Sequence, residues 1–327
     1  MRRRDFIAFV GGTAAAWPMA ARAQQSAMPV IGFLSVASPD GYRPMTAAFR
    51  QALQDSGFIE GQNVAIEYRW AEQRVERLPA LAADLVKRKV TVIAAPTTEA
   101  ALAAKAATTN IPIVFETGGD PMRLGLVASL NRPGGNITGV TQLTMGLVPK
   151  ALEVMHELLP AAKVIAFLVN PGDPTLSETG AKLALESADV LGLKLQVVKA
   201  TSERDLDGVF DQLAQLQAGG LVICPDPLFT GLAGRIGALS ARRGVPAAYK
   251  GREFAEGGGL LTYGTSITDA YRLAGVFTAR ILKGDKPADI PVQESTKVEL
   301  YINLKTAKAL GITVPLPLSG RADEVFE

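Results

Sequence analysis

The stretch TVIAAPTTEAALAAKAATTNIPIVFETGGDP, Thr91 to Pro121, returns in altered form at Gly220 to Phe254 as GLVICPDPLFTGLAGRIGALSARRGVPAAYKGREF. Each copy reads as an apolar strand, a Pro-containing turn, an Ala-rich helix, an Ile-Pro or Val-Pro step and a second strand that stops at a polar, Gly-bearing loop. The correspondence extends upstream. VIGFLSVAS at Val30 to Ser38 matches VIAFLVNPG at Val164 to Gly172, and NVAIEYRWA at Asn63 to Ala71 matches LKLQVVKAT at Leu193 to Thr201. A repeat spaced by roughly 130 residues is too long for a solenoid and has the size of one domain. Two similar lobes that face each other make a cleft, and a cleft is where ligands bind.

Working outward, strands alternate with helices: strand Val30 to Val36, helix Thr46 to Ser56, strand Val64 to Tyr68, helix Arg77 to Lys89, strand Val92 to Ala95, helix Glu99 to Thr108 and strand Pro112 to Phe115. Such alternation gives right-handed crossovers and parallel sheets, an α/β class with two Rossmann-like lobes. Asn136 to Thr141 ends the first pass through lobe one, and the helix Pro149 to Leu159 opens lobe two, with strands near Val164, Leu195, Leu221 and Pro246. After Gly257-Gly258-Gly259, the strand Leu260 to Tyr263 and helix Asp269 to Leu282 are assigned to lobe one, and Lys297 to Ile312 to lobe two. The expected division is 28–147 plus 255–290 against 148–254 plus 291–327. Three crossings make a three-segment hinge, which closes rather than slides.

A chain of 327 residues with 48% hydrophobic and 20% charged residues can bury two cores. The first 23 residues read differently. Arg3-Arg4-Asp5-Phe6-Ile7, a weakly apolar run to Ala16 and Ala21-Arg22-Ala23 read as a cleaved, twin-arginine-like export signal. The expected location is therefore the periplasm. Residues 1–23 carry four arginines and one aspartate, so the formal +2 of the whole chain becomes a net charge of about −1 for the remainder. Scattered charge of that kind excludes a nucleic-acid surface, which needs clustered Lys and Arg. Cys224 is the only cysteine, so no disulfide can form within the chain.

Catalytic chemistry is thinly supplied. His156 is the only histidine and has no Cys or His partner at metal spacing, no G-x-S-x-G elbow is present, and neither a P-loop nor G-x-G-x-x-G follows a strand. Neither a cofactor nor a metal is expected, and the chain is not read as an enzyme. Binding chemistry is richer, because ligands of open parallel sheets lie beyond the carboxyl ends of the strands. Those ends supply Ser35, Ser38, Asp40, Thr97, Thr98, Glu99, Glu116, Thr117, Gly118 and Asp120 in lobe one. They supply Asn170, Asp173, Asp226, Phe229, Tyr249, Lys250 and Glu253 in lobe two, followed by Tyr263, Thr265 and Ser266. The ligand-binding set drawn from them is Ser35, Ser38, Thr97, Thr98, Glu116, Gly118, Asn170, Asp226, Phe229, Tyr249 and Tyr263. Thr97 and Thr98 precede an Ala-rich helix whose free N–H groups form a carboxylate cradle, although Thr98 also reads as a plain helix cap. Asp226 takes the duplicated position of Thr97, opposing an anion to an anion-binding helix end, which suits a zwitterion; Asp226-Pro227 also reads as an Asp-Pro turn. Trp70, Phe229, Tyr249 and Tyr263 are stacking or packing candidates.

The segments EGQNVAIEYRWAEQRVERLPALAADLV, IPIVFETGGDPMRLGLVASLNRPGGNITGV, EFAEGGGLLTYGTSITDAYRLAGVFTARILKGDKPADIPV and INLKTAKALGITVP together resemble the ABC-transporter substrate-binding family related to tryptophan- and tyrosine-binding lipoproteins. The resemblance runs from Pro29 to Glu327. It implies a type I periplasmic-binding-protein architecture that delivers a small solute, such as an amino acid, to an ABC permease in the inner membrane, as a monomer. Relatives often carry a Gly- or Ser-rich loop where this chain has Pro96-Thr97-Thr98-Glu99, and Glu99 repels an acidic ligand unless it points away. A ligand-sensing partner of a membrane receptor, or a periplasmic enzyme using Glu116 and Asp226 as acid and base, are the alternatives.

Overall fold

The computed structural model describes residues 28–142 and 144–327; the export-signal reading concerns residues outside this range. The first lobe begins with β1 (Val30–Ser35), α1 (Arg43–Asp55), β2 (Ala65–Trp70), α2 (Leu78–Lys87), β3 (Val92–Ala95), α3 (Thr98–Ala107), β4 (Ile113–Thr117) and β5 (Ile137–Thr141). The chain then enters the second lobe with α4 (Val148–Leu158), β6 (Val164–Val169), α5 (Pro174–Leu191), β7 (Lys194–Lys199), α6 (Leu206–Gln215) and β8 (Gly220–Ile223). There follow α7 (Pro227–Gly231), α8 (Ala233–Arg243), β9 (Ala247–Tyr249), α9 (Arg252–Glu256) and β10 (Leu261–Thr265). The remainder is α10 (Ile267–Leu282), β11 (Gln293–Glu294), β12 (Val298–Asn303), α11 (Leu304–Ala309), α12 (Leu316–Ser319) and β13 (Glu324–Phe326).

Two sheets result, ordered β11-β5-β4-β3-β1-β2 and β13-β12-β10-β9-β8-β6-β7. The orders 2-1-3-4-5 and 7-6-8-9-10 are the same walk made twice, so the duplication seen in the sequence is a duplication of topology. Every ladder is parallel except β10 with β12. Apolar runs such as VIAFLV in β6 are covered on both faces, as parallel strands require. In lobe one Phe33, Phe49 and Tyr271 pack under α1 and α10, while Leu34, Ile93 and Phe115 pack under α2 and α3. In lobe two Ile165 and Phe167 face α4 and α5, while Leu168 and Leu221 face α6 and α8.

Two expected boundaries move. The strand at Leu261–Thr265 pairs with β9 and β12, so it belongs to the second sheet rather than to lobe one. It is the counterpart of β5, and in each half the chain leaves its lobe only after the fifth strand. Gln293–Glu294 pairs with β5 and so extends the first sheet, placing the last crossing beyond position 291. The helix Ile267–Leu282 does pack on lobe one: Gly275 lies where a Cβ would come within 2.6 Å of the Phe49 carbonyl oxygen and 2.9 Å of Ala52 Cβ. Helix α1 starts earlier than its apolar spacing indicated, because Pro44 fits the first turn, where its missing N–H is not needed.

The crossings are tied together. Thr265 donates its hydroxyl to Gln142 Oε1 (2.6 Å), Gln142 Nε2 donates to Glu116 Oε1 (2.8 Å), and Ser295 N donates to the Thr141 carbonyl (2.8 Å). Inside lobe one, Gly139 on β5 stands against Phe115 on β4, where a Cβ would fall on the Phe115 carbonyl oxygen. Because that obstacle is ladder backbone rather than a movable side chain, Gly139→Ala is expected to cost about 3 kcal/mol or more, the upper end for overpacking. Urea denaturation of the ligand-free protein measures it.

Candidate functional site

The turn after β3 begins the site. Thr97 is the N-cap residue of α3, with extended backbone, yet its side chain bonds no N–H of the first turn. Its hydroxyl oxygen accepts only a long 3.4 Å contact from Val36 N, and the Thr98 hydroxyl is bonded to Thr117 Oγ1 at 2.7 Å. Thr98 is therefore the first helical residue and not the cap. The leading N–H groups of α3 remain uncapped by side chains, with the positive end of the helix dipole behind them.

The matching turn after β8 is built the opposite way. Asp226 caps α7, its Oδ1 accepting from Leu228 N at 2.7 Å. Asn170 at the end of β6 donates Nδ2 to both carboxylate oxygens, at 3.2 and 3.3 Å. Tyr249 at the end of β9 donates its hydroxyl to the Asp226 carbonyl (3.1 Å) and is bonded to the Thr230 hydroxyl (3.0 Å). The Asp-Pro turn and the site carboxylate are thus one structure: Asp226 caps its helix and is held in place by residues from two neighbouring strands.

Between these turns lies a cavity walled by both lobes. Thr97, Thr98, Glu116, Gly118 and Asp226 from the expected set line it, and so do Tyr42, Thr144, Met145, Leu176, Lys250 and Ile267. A Cβ on Gly118 would displace the Thr144 hydroxyl, which donates to the Gly118 carbonyl. A second, smaller cavity shares Thr144, Pro225 and Lys250 with the first and is walled by Leu147, Val148, Ala151, Tyr249 and Tyr263. Asn170 lines a third, on the side toward Glu99 and Asp173.

Three expected residues lie elsewhere. Phe229 is wholly buried in the core of lobe two, because α7 turns that face inward onto β8 and β9. Ser35 is also fully buried, its hydroxyl accepting from Ala37 N at 3.2 Å within its own turn. Ser38 lies one turn further out and lines neither cavity. Trp70 stacks parallel to Tyr68 on the first sheet's outer strand, away from the cleft. Tyr42, Met145 and Ile267 carried no readable signal, since they sit on a loop and on two crossings rather than at strand ends. Lys250, at a strand end, could have been chosen by its position after β9.

Charge in the cavity is concentrated and costly. Burial pushes the Glu116 carboxyl up to about 7, against the pull of Lys250 and of the Gln142 amide. Burial pushes Asp226 up to about 6, opposed by the Leu228 N–H and Asn170 and aided by Asp173. Burial holds the Lys250 ammonium below its ordinary value, while Glu116 and Asp226 draw it back up. An ionised ligand supplying counter-charges relieves all three, since each charged form gains an opposite partner.

The lobes touch across this cavity. Tyr42 of lobe one donates its hydroxyl to the Pro227 carbonyl of lobe two at 3.3 Å. Beside it Gly41 meets Gly231 backbone to backbone: a Cβ on Gly41 would lie 2.6 Å from both the Cα and the carbonyl oxygen of Gly231.

Comparison with known proteins agrees with this architecture. A curated relative, the tyrosine-binding protein of Clostridioides difficile, is 28% identical over 267 residues, which are 80% of this chain and 75% of that one. The crystal structure of an ABC domain in complex with L-Trp from Streptococcus pneumoniae superposes with a TM-score of 0.80 at 23% identity, covering 91% of this chain and 99% of that one. A ligand-free, open substrate-binding protein with adhesive properties from Clostridium difficile superposes at 0.63, with 25% identity and the same coverage. The family model described as ABC transporter substrate binding protein matches residues 30–326. With a duplicated α/β topology, a cleft walled by both halves and a match over nearly the whole chain, the protein belongs to the ABC transporter substrate-binding protein family.

Proposed function

We propose that this protein captures one free amino acid, with an aromatic side chain, in the periplasm and presents it to an ABC permease. The observation that carries the reading is the cavity in which an uncapped helix N-terminus of one lobe faces a cap carboxylate of the other. A zwitterion matches it. The ligand carboxylate is assigned to the α3 N–H groups, the Thr97 hydroxyl and Lys250; the ammonium to Asp226 and Glu116. The adjoining wall of Leu147, Val148, Ala151 and Tyr263 supplies apolar surface against which a ring packs once the site widens to admit it. The relative named for tyrosine supports the aromatic choice. The N-terminal Arg-Arg signal supports export, and among the described residues no helix is long and apolar enough to cross a membrane.

Calorimetry of protein freed of co-purified ligand, titrated with each proteinogenic amino acid, tests the reading. One bound L-tyrosine or L-tryptophan per chain is expected; absence of heat with every amino acid overturns it. Within that frame Thr97→Val is expected to weaken binding by about 1 to 3 kcal/mol, the cost of leaving one buried oxygen unpaired. Its thermal midpoint stays near that of the parent, because Thr97 makes no cap bond to lose.

A further inference from the structure

Glu99 and Asp173 stand on opposite walls of the cleft, at the first turn of α3 in lobe one and at the N-cap of α5 in lobe two. Both line a large groove beside the ligand cavity, and both line a smaller one that continues to Asp226. Asp173 is 9% exposed, and its Oδ1 accepts from Leu176 N at 3.0 Å. Its Oδ2 and the Glu99 Oε2 are shut off from solvent, and neither has a donor among the described residues. The two partnerless carboxyl groups face the same two grooves from opposite lobes, each the acidic neighbour of the other. Two acceptors satisfy each other only when one carries a proton, and closely placed carboxyls keep one proton between them. Asp173 Oδ1 is already engaged by a backbone N–H at its helix N-terminus, and the proton is placed on Glu99, whose carboxyl burial pushes well up.

We propose that Glu99 and Asp173 form a proton-operated latch: the lobes close with one proton held between the two carboxyl groups, and its loss drives them apart. The latch rests on reading the cleft as a closing solute site and adds a regulation to it. Asp226 and Cys224 at the end of β8 and Tyr271 on α10 face the pair, and Asp120 and Arg123 line the groove beside it. Glu116 and Lys250 lie deeper, in the ligand cavity. Burial, then Asp173, then Asp226 hold the Glu99 carboxyl well above its ordinary value, and only its own backbone N–H opposes them.

Opening returns Glu99 to water and toward the ordinary carboxyl range, so closure takes up a proton. The latch contributes fully below that ordinary range, weakens as pH rises, and is gone above the raised closed-state value. In that window the apparent Kd for a ligand of the closed form rises by up to about tenfold per pH unit.

Spin labels on Gln51→Cys of α1 and Lys182→Cys of α5, both exposed, report the distance between lobes, while the buried Cys224 does not react. The distance is read from about pH 5 to about pH 9, without ligand and with L-tyrosine. The latch predicts that the ligand-free parent opens as pH rises and that Glu99→Gln, whose amide donates to Asp173 without titrating, stays closed throughout. A ligand-free distance that ignores pH overturns the latch, as does an equal response in Glu99→Gln. So does re-closure at high pH on adding calcium, which would assign the two carboxylates to a cation. Failure of L-tyrosine to bind while the ligand-free distance follows pH in the parent alone overturns the solute assignment and leaves the latch standing.

Discussion

Replacing Asp226 by asparagine is expected to weaken amino-acid binding by about 2 to 5 kcal/mol, the range for removing one partner of a desolvated charge pair. In dissociation constant that is roughly thirtyfold to several thousandfold. Asparagine is chosen over alanine because of the cap. Asp226 Oδ1 holds the Leu228 N–H, and alanine would also release the start of α7, mixing about 1 kcal/mol of lost stability into the result. An asparagine carbonyl keeps that bond while removing the charge. Its amide then faces the Asn170 amide, donor against donor, with nothing to offer a ligand ammonium. Calorimetry gives the affinity and a thermal melt the stability; an unchanged Kd removes Asp226 from the ligand's contacts.

The second large effect is mechanical. Gly41→Val is expected to leave the fold intact and prevent full closure, because the new side chain lands on Gly231 backbone in the opposite lobe. Gly41 has no positive φ, so the loop itself carries valine without strain. Overpacking of this kind costs about 1 to 3 kcal/mol, and here the cost falls on the closed state alone. At the upper end the closed fraction drops about a hundredfold, and apparent affinity falls with it. The Tyr42–Pro227 bond is lost with the same displacement. Small-angle scattering with saturating L-tyrosine measures the outcome: a profile as compact as that of the parent, together with parental affinity, would show that this contact does not limit closure.

Much of this molecule is legible as a sequence. The repeat of strand, Pro turn, helix and strand at Thr91 and Gly220 yields two parallel lobes, because apolar runs separated by helix-length segments have few other ways to bury both faces. The rule that ligands lie beyond strand ends places Thr97, Thr98, Glu116, Gly118 and Asp226 around one cavity. The same rule is blind to which way a turn faces, so it also selected Ser35 and Phe229, whose side chains complete cores.

What the sequence by itself determined is the doubled α/β topology and the chemical character of the two facing turns, a hydroxyl pair against a carboxylate. These depend on local periodicity and turn composition, which neighbouring residues carry. Only the tertiary structure decided that Thr97 rather than Thr98 precedes the helix, that Asp226 caps as well as faces the cleft, and that Leu261–Thr265 completes the second sheet. It also brought Glu99 and Asp173, 74 positions apart in the chain and on different lobes, to the walls of the same grooves. Contacts of that kind are set by how two rigid bodies meet across a hinge, and no local pattern in either body encodes the geometry of the meeting.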